Sequence, residues 1–421
     1  MRRLLAGVSI LVWGTALALG ELGDTLSPSP DNPAIGYFTQ PVHDPVAELN
    51  RHLDDGTAHL RYDPVAGYLR SVLEALHVPV ESQMAVFSKT SFQAAIINPK
   101  NPRTLFFNDS VAVGWMHGGF IELAAQDPRQ GTVFYVLEQK PADQPRFRRQ
   151  DSCLSCHVSD ASLGVPGMMV RSTYTEPDGM PRLLLGASLT DHRTPLEERW
   201  GGWYVTGSAG SARHLGNAFV TDEDHPESMV TPATLHRATL RDQFDTQLYL
   251  SPYSDIAALL VFNHQMHMMN LITRVGWEAR LAAAQHRDVA VILRDPAREL
   301  VDYLLFSDEA SLPAPIRGSA GFTERFAAEG PRDHQGRSLR QLDLNRRLFR
   351  YPCSYMIYSD AFEQLADPAK QAIYQRLWQV LSGQIQDPRY ARLSLADRSA
   401  IAAVLRDTKP GLPSFFQAVT R

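Results

Sequence analysis

Two of the three cysteines in this 421-residue sequence lie close together, and a histidine directly follows the second of them. They form the stretch Cys153-Leu154-Ser155-Cys156-His157. Two intervening residues let both thiols reach the two vinyl groups on one edge of a porphyrin, while the adjoining imidazole comes to lie under the iron. This is the attachment motif of a c-type haem. The sequence therefore predicts one covalent haem, with Cys153 and Cys156 as its thioether links and His157 as the proximal axial ligand of the iron.

Zinc binding and disulfide chemistry are the other uses of a close cysteine pair. A structural zinc site takes four nitrogen or sulfur ligands, usually from two short pairs, whereas the remaining cysteine, Cys353, stands alone. A thioredoxin-like redox pair follows a strand at the start of a helix, but the run 146–152 before this motif is polar. A plain structural disulfide is the third alternative. Haem attachment is favoured over all three, and Cys353 is expected to be a small buried hydrophobic residue.

The amino terminus has the layout of a secretory signal. Arg2 and Arg3 precede an apolar run from Leu4 to Leu19 that ends in small residues. Residues 1–20 are predicted to be a cleaved signal peptide, with an uncleaved membrane anchor as the alternative, and a lipoprotein is excluded because no cysteine follows. No later run approaches the ~20 apolar residues of a membrane span. Because c-type haem is attached outside the cytoplasm, the signal and the motif together predict a periplasmic protein.

The charge and size of the chain narrow its class further. Its formal net charge is -5, and loss of the two arginines of the signal peptide makes the mature chain more acidic still. Nucleic-acid binders carry a basic domain or stripe, so no nucleic-acid partner is expected. With 44% apolar residues, the chain is long enough to bury one large core or two ordinary ones without disulfides. The haem motif is thus one part of a large scaffold.

Composition and periodicity divide the chain into five regions. They are a signal peptide (1–20), a leader rich in proline and serine (21–45), an α+β region (46–145), a haem-binding region with β-hairpins (146–250) and a mainly helical region (251–421). We therefore predict an α+β fold with a mostly helical C-terminal third, which differs from a compact class I cytochrome c.

Several elements are predicted within these regions. Aspartate-proline pairs predict helices that begin after Asp44 and Asp63, and apolar periodicity predicts a long buried helix over 256–285. Strands are predicted at 85–87, 104–107, 132–137 and 203–206, and a hairpin with a Pro-Asp-Gly turn over 171–175 and 182–185. In the C-terminal third, a helix is predicted over 367–383, a capping box at Ser394 and Asp397, and an ordered loop over 308–345.

The sixth ligand of the iron decides whether the haem carries electrons or binds small molecules. His264 lies on the predicted long helix with His267 three residues later, and His214 follows a glycine-rich turn. Met168 and Met169 follow the motif closely enough to reach the far side of the porphyrin, but core packing is the better interpretation for both. A histidine is therefore favoured, with His264 or His214 as the candidate distal ligand.

Arginines near the motif are candidates to neutralise the haem propionates. We expect at least one of four to do so, namely Arg148, Arg149, Arg171 and Arg213. A second arginine series could dock an acidic partner, although intrachain salt bridges are the favoured interpretation of Arg337, Arg340, Arg346, Arg347 and Arg350.

At Cys153, Cys156 and His157 the chain resembles c-type cytochromes. Beyond the motif it is similar to large, largely uncharacterised exported bacterial proteins that carry a single cytochrome c motif in mid-chain. The similar stretches are Val86-Phe87-Ser88-Lys89-Thr90-Ser91, Gly201-Gly202-Trp203-Tyr204-Val205-Thr206-Gly207 and Arg213-His214-Leu215-Gly216-Asn217. The resemblance implies haem binding and electron transfer to and from a redox partner protein, and it transfers no established reaction.

Three functions are compatible with a covalent haem. The leading hypothesis is one-electron transfer by Fe(III)/Fe(II) cycling in the periplasm. The second is a haem enzyme, peroxidase-like or oxidising a small molecule, in which the distal side is open and His214 or His264 acts as acid or base. The third is a sensor in which a gas displaces a weak distal ligand.

Overall fold

The computed structural model describes residues 29–417. The predicted signal peptide (1–20) and the first part of the leader lie outside the described residues. Within 29–417, no helix combines the length and the apolar character that a membrane span requires.

The first part of the chain builds a sheet with helices on one side. The elements are α1 (Pro45–Asp54), α2 (Leu69–Ala75), β1 (Met84–Val86), β2 (Arg103–Phe107), β3 (Val111–Trp115), β4 (Ile121–Asp127), β5 (Gly131–Leu137) and β6 (Arg148–Arg149). The predicted start of α1 is confirmed, because the Asp44 side chain accepts hydrogen bonds from the N–H groups of Val46 and Ala47.

The prediction for the second helix is wrong about its start. Asp63 and Gly67 exchange two backbone hydrogen bonds, and Gly67 has a φ of +59°, so the chain makes a turn there. The Asp63 carboxylate accepts from Val65 and Ala66 and so stabilises this turn. The helix α2 begins only at Leu69.

The central part of the chain is made of short elements joined by turns. They are α3 (Leu154–His157), β7 (Arg171–Thr173), β8 (Ala187–Leu189), β9 (Trp203–Tyr204), β10 (Gly207–Ser208), α4 (Pro232–Leu235) and β11 (His236–Arg237). The predicted hairpin exists, but β7 pairs with 187–189 and the three leucines 183–185 form one turn of 3₁₀ helix. The predicted second strand is therefore wrong in position.

The C-terminal part is helical, as predicted. Its helices are α5 (Ile256–Ala284), α6 (Val289–Ile292), α7 (Arg294–Leu304), α8 (Phe322–Ala328), α9 (Asp360–Glu363), α10 (Asp367–Leu381) and α11 (Leu395–Thr408). The capping box of Ser394 and Asp397 is confirmed at the start of α11. The predicted loop over 308–345 is irregular apart from α8.

Seven strands of the described part form one antiparallel sheet in the order β6-β5-β4-β3-β2-β1-β9. The register separates its two faces, because alternate residues of a strand point to opposite sides. One cross-strand row is Phe107, Ala112, Ala124 and Phe134, and it packs against the core that contains α5. The adjacent row of larger residues packs on the other face, against α1 and α2.

The long helix α5 is buried between the sheet and the C-terminal helices. It is apolar around most of its circumference, and its side chains are buried against the sheet on one side and against α7, α9 and α10 on the other. Its N-terminus is capped by Asp255, which accepts from Ala257 and Ala258. The α+β fold with a mostly helical C-terminal region is thus confirmed, and it is larger and differently built than a compact class I cytochrome c.

Candidate haem site

The two thiols and the histidine of the motif lie on one helical turn. A 3₁₀ turn ends at Cys153 and leads directly into α3, which contains Cys156 and His157. Residues three apart on a helix share a face, so both thiols face the same side. Cys153 is half-buried, Cys156 is exposed, and neither forms a disulfide. Burial, together with the nearby Glu122 carboxylate, raises the pKa of Cys153 to about 11, so this thiol stays protonated near neutral pH.

His157 is held in one tautomer. Its Nδ1 lies 2.8 Å from the carbonyl oxygen of Gly167, which only accepts hydrogen bonds, so Nδ1 carries the proton and donates. Burial lowers the pKa of the ring and keeps it neutral. The lone pair of Nε2 therefore has no proton on it and, among the described residues, no hydrogen-bond partner. Phe134 supports the ring, with centroids 4.7 Å apart.

The carbonyl that orients His157 is itself positioned by α5. The buried side chain of Asn270 accepts from the Met168 N–H at 3.2 Å and donates to the Met168 carbonyl at 2.8 Å. We call this pair of hydrogen bonds the Asn270 clasp. It leaves no room at Gly167, where an added Cβ would lie 2.1 Å from the Asn270 side-chain oxygen. The loop from His157 to Met168 is thus fixed against a helix more than a hundred residues downstream.

Charged side chains of the sheet and the hairpin surround His157. Arg103 and Arg171 lower its pKa and Glu122 raises it, which places all three within electrostatic range of the ring. Arg103 donates to Glu122 at 2.9 Å, and the two side chains are 17% and 21% exposed. The Nε of Arg103 is buried and has no hydrogen-bond partner in the described part of the chain. The Arg171 guanidinium is exposed, and within the described residues it has no ion pair or hydrogen bond.

These features fit a c-type haem. The two free thiols on one face would form the thioethers, and the free Nε2 of His157 would bind the iron. The N–H···O=C bond on the other nitrogen is the usual way in which a metal-bound imidazole is oriented. The unpartnered Nε of Arg103 and the free guanidinium of Arg171 are donors for propionate oxygens.

Apolar side chains are exposed on the hairpin that carries Arg171. Leu189 pairs with Arg171 across β7 and β8 and is 46% exposed, while Leu183 and Leu184 in the 3₁₀ turn are 55% and 103% exposed. Several exposed leucines in one short segment are a feature of surfaces that bind another apolar group. A porphyrin is such a group.

The two histidines predicted as candidate distal ligands lie in other contacts. His264 is fully buried, with Nδ1 2.8 Å from Nδ1 of His192 and Nε2 2.7 Å from the hydroxyl of Ser354. His214 accepts at Nδ1 from the N–H of Gly216 and bonds the Leu235 backbone. Either ring would have to break these bonds to bind iron.

His267 and the methionines also have defined surroundings. His267 is half-buried beside Arg193, 3.2 Å from its guanidinium, and packs on the Tyr303 ring. Met168 is fixed by its backbone in the Asn270 clasp, and its side chain packs partly against the main core. Met169 is half-buried and directly follows it. None of these contacts involves residues 153–157.

Of the four arginines predicted to approach the propionates, Arg171 is the one that remains available. Arg148 pairs with Glu138 at 2.9 Å, and Arg149 pairs with Asp151 at 2.7 Å. Arg213 donates to a backbone carbonyl. Most of the second series lies in intrachain ion pairs, namely Arg337, Arg340, Arg346 and Arg347, while Arg350 stacks on Tyr351.

The sequence alone did not identify Arg103, Glu122, Phe134 or Asn270 as parts of the site. The first three come from different strands and meet only because of the sheet register. Asn270 offered one signal, since an amide in the middle of a buried apolar helix must find a hydrogen-bond partner.

Comparison with protein-family models, with curated proteins and with solved structures found no match to this chain. Within residues 29–417, no group of three or more histidine, cysteine or acidic side chains is arranged to hold a metal ion. A haem iron takes only its axial ligands from the protein, so the site described above needs no such group.

The buried histidines make stability depend on pH. Burial lowers the pKa of His214 to about 4, whereas in the unfolded chain the ring titrates near pH ~6.5. The unfolded state therefore binds more protons below that pH, and the stability present at neutral pH is lost as the pH falls. Between pH 7 and pH 5 we expect His214 to remove about 2 kcal/mol from the free energy of unfolding.

Urea unfolding at pH 7, 6 and 5 measures this contribution. The variant His214→Gln, which cannot titrate, should lose less stability over this range than the unaltered protein. His225→Gln is the control, because the His225 side chain is 70% exposed. Equal slopes for all three proteins would contradict the assignment.

Proposed function

We propose that this protein is an exported c-type cytochrome with one covalent haem, and that it transfers single electrons. One observation carries the proposal. A neutral imidazole with a free Nε2 adjoins two free thiols on the same helical turn, and its other nitrogen is fixed by the Gly167 carbonyl. The haem, when bound, supplies an iron that alternates between Fe(III) and Fe(II).

The residues of the chain have separate tasks in this function. Cys153 and Cys156 hold the cofactor covalently, and His157 sets the electron density at the iron through the strength of its Nδ1–H hydrogen bond. The Asn270 clasp fixes the direction of that bond. Arg103 and Arg171 supply positive charge beside the site and Glu122 supplies negative charge, which together adjust the reduction potential.

The motif and the N-terminal sequence support a periplasmic location and a protein redox partner. Cys156 is exposed, so one of the two proposed attachment points lies at the surface. Attachment at the surface would suit exchange of electrons with another protein better than chemistry on a substrate shielded from water. The haem enzyme and the gas sensor are the alternatives against which this proposal is tested.

Absorption spectroscopy tests the proposal directly. We expect the mature chain, expressed in bacteria with the c-type maturation machinery, to retain haem after denaturation and to show sharp low-spin bands in both redox states. Low-spin bands require a second side chain on the iron, so His264 or His214 would leave its present hydrogen bonds when haem is bound. The reduced protein should not respond to carbon monoxide. A colourless product would overturn the haem assignment, and carbon monoxide binding would show an open sixth position and favour an enzyme or a sensor.

The charges near His157 predict opposite changes in reduction potential. Arg171→Gln removes a positive charge. This removal favours Fe(III) over Fe(II), so the reduction potential should fall. Glu122→Gln removes a negative charge and should raise the reduction potential. Each shift is expected to be on the order of tens of millivolts. Arg148→Gln is the matched control, because Arg148 is 67% exposed and paired with Glu138. Spectroelectrochemical titration measures the shifts, and shifts of the same sign in the first two variants would refute this electrostatic account.

A further inference from the structure

A groove with no assigned role lies in the helical part of the molecule. It has a volume of about 680 Å³ and runs between α7 and α10, with α6 at one end. Its lining includes the small side chains Ala297, Pro368 and Ala372. Its volume is within the range of pockets that bind small ligands or short segments. The haem motif lies on other elements, so the groove is a separate site.

Side chains that donate hydrogen bonds line both walls of the groove, with arginines on α7 and glutamines on α10. Arg294 and Arg298 lie one turn apart on α7, and Gln371, Gln375 and Gln379 lie at successive turns of α10. Each step of four residues advances about 6 Å along a helix, so the side chains form two regular rows.

These donors are free to bind a ligand. The three glutamine side chains have no hydrogen bond to any residue of the described part. Among residues 29–417, the one ion-pair partner of Arg294 and Arg298 is Asp295, at 3.7 and 3.2 Å, and the two arginines are 78% and 50% exposed. Such exposed pairs are worth at most about 1 kcal/mol, so a carboxylate from a ligand can replace Asp295. Arg376, also in the lining, is already occupied by Tyr390.

The spacing of the arginine and glutamine side chains matches an extended peptide. Alternate residues of an extended chain are about 6.7 Å apart, close to the 6 Å spacing of both rows. A glutamine amide has a donor and an acceptor and can therefore bond both the N–H and the C=O of a peptide unit. The arginine row matches carboxylates on alternate residues, because a guanidinium binds a carboxylate through two parallel hydrogen bonds. The described residues that line the groove include no aromatic ring on which a sugar could stack.

We infer that this groove binds an extended acidic segment of a partner protein, with carboxylates on alternate residues. Arg294 and Arg298 bind the carboxylates, and the glutamine row binds the backbone. The small lining residues Ala297 and Ala372 leave room for the peptide backbone to lie close to the helices.

Fluorescence anisotropy with the full mature protein tests the inference. The probe is a labelled peptide Glu-Gly-Glu-Gly-Glu, and Gln-Gly-Gln-Gly-Gln is its uncharged counterpart. The acidic probe should bind, and the double variant Arg294→Gln/Arg298→Gln should weaken binding about tenfold or more. The variant Gln371→Ala/Gln375→Ala leaves the charge unchanged and should weaken it severalfold. Both variants alter exposed side chains and should fold normally.

A control of equal charge separates specific binding from general attraction. Arg61→Gln/Arg346→Gln removes two arginines that are 75% and 76% exposed and lie outside the groove, and it should change affinity less than twofold. Absence of probe binding, an equal loss in both arginine variants, or no effect of the glutamine changes would each overturn the inference. Tighter binding of a uronic-acid oligosaccharide than of the acidic peptide would also overturn it. None of these outcomes depends on the haem.

Discussion

Replacing both Cys153 and Cys156 by serine should abolish covalent haem attachment completely. Each thiol is free and both lie on one face of a short helical segment, so together they offer the two bonds that the porphyrin edge requires. A hydroxyl does not add to the vinyl groups under the conditions of haem attachment. The measurement is haem staining after denaturing electrophoresis, together with the mass of the intact chain.

The third cysteine supplies the matched control. Cys353 is fully buried, and its burial in an apolar core raises the pKa of the thiol, which makes it unreactive. Cys353→Ser should therefore keep the haem while lowering stability moderately. If the double variant retained covalently bound haem, the assignment of the two links would be wrong.

Replacing His264 by leucine should destabilise the fold strongly, by about 3 kcal/mol or more. Its two ring nitrogens contact His192 and Ser354, and the imidazole also stacks on Phe306 with centroids 4.4 Å apart. Removal of the ring would leave Nδ1 of His192 and the Ser354 hydroxyl buried with fewer partners. The expected result is a lower urea midpoint with covalent haem still present.

This variant also decides between two roles of His264. If it serves the fold, the low-spin bands of the folded variant should match those of the unaltered protein. Conversion to a high-spin spectrum at full folding would instead identify it as the distal ligand. His59→Leu is the control for replacing a histidine, because His59 is exposed. It should change neither stability nor spectrum.

The helices of the C-terminal third were predictable because their signals are local. The periodic apolar pattern of 256–285 and the capping box at Ser394 depend only on neighbouring residues, and both are confirmed. The strands β3 and β4 were not predicted. They contain alanine and glycine and are buried on both faces, so they lack the alternation of polar and apolar residues that marks a half-buried strand.

In the candidate haem site too, features set by adjacent residues were predictable and features set by distant segments were not. The prediction that Cys153, Cys156 and His157 hold a haem rests on five consecutive positions, and it stays a prediction. The environment of His157 could not be predicted in this way, because Phe134 and Glu122 reach it through pairing of β4 with β5. The leucines 183–185 form a 3₁₀ turn instead of a strand because Ala187, and not Leu185, pairs with Thr173. Pairing between distant segments depends on tertiary packing, and the pattern of neighbouring residues carries no information about that packing.

The Asn270 clasp makes the orientation of His157 depend on a helix that lies more than a hundred residues further along the chain. If haem is attached as proposed, the thioether bonds can form on a chain in which α5 has not yet docked and the imidazole of His157 still lacks its final orientation. Docking of α5 then fixes Met168 and, with it, the neighbouring Gly167 carbonyl that holds His157. During refolding of the holoprotein, the visible spectrum should therefore sharpen in a second, slower phase. The absorption spectrum would then report whether the C-terminal half of the chain has folded.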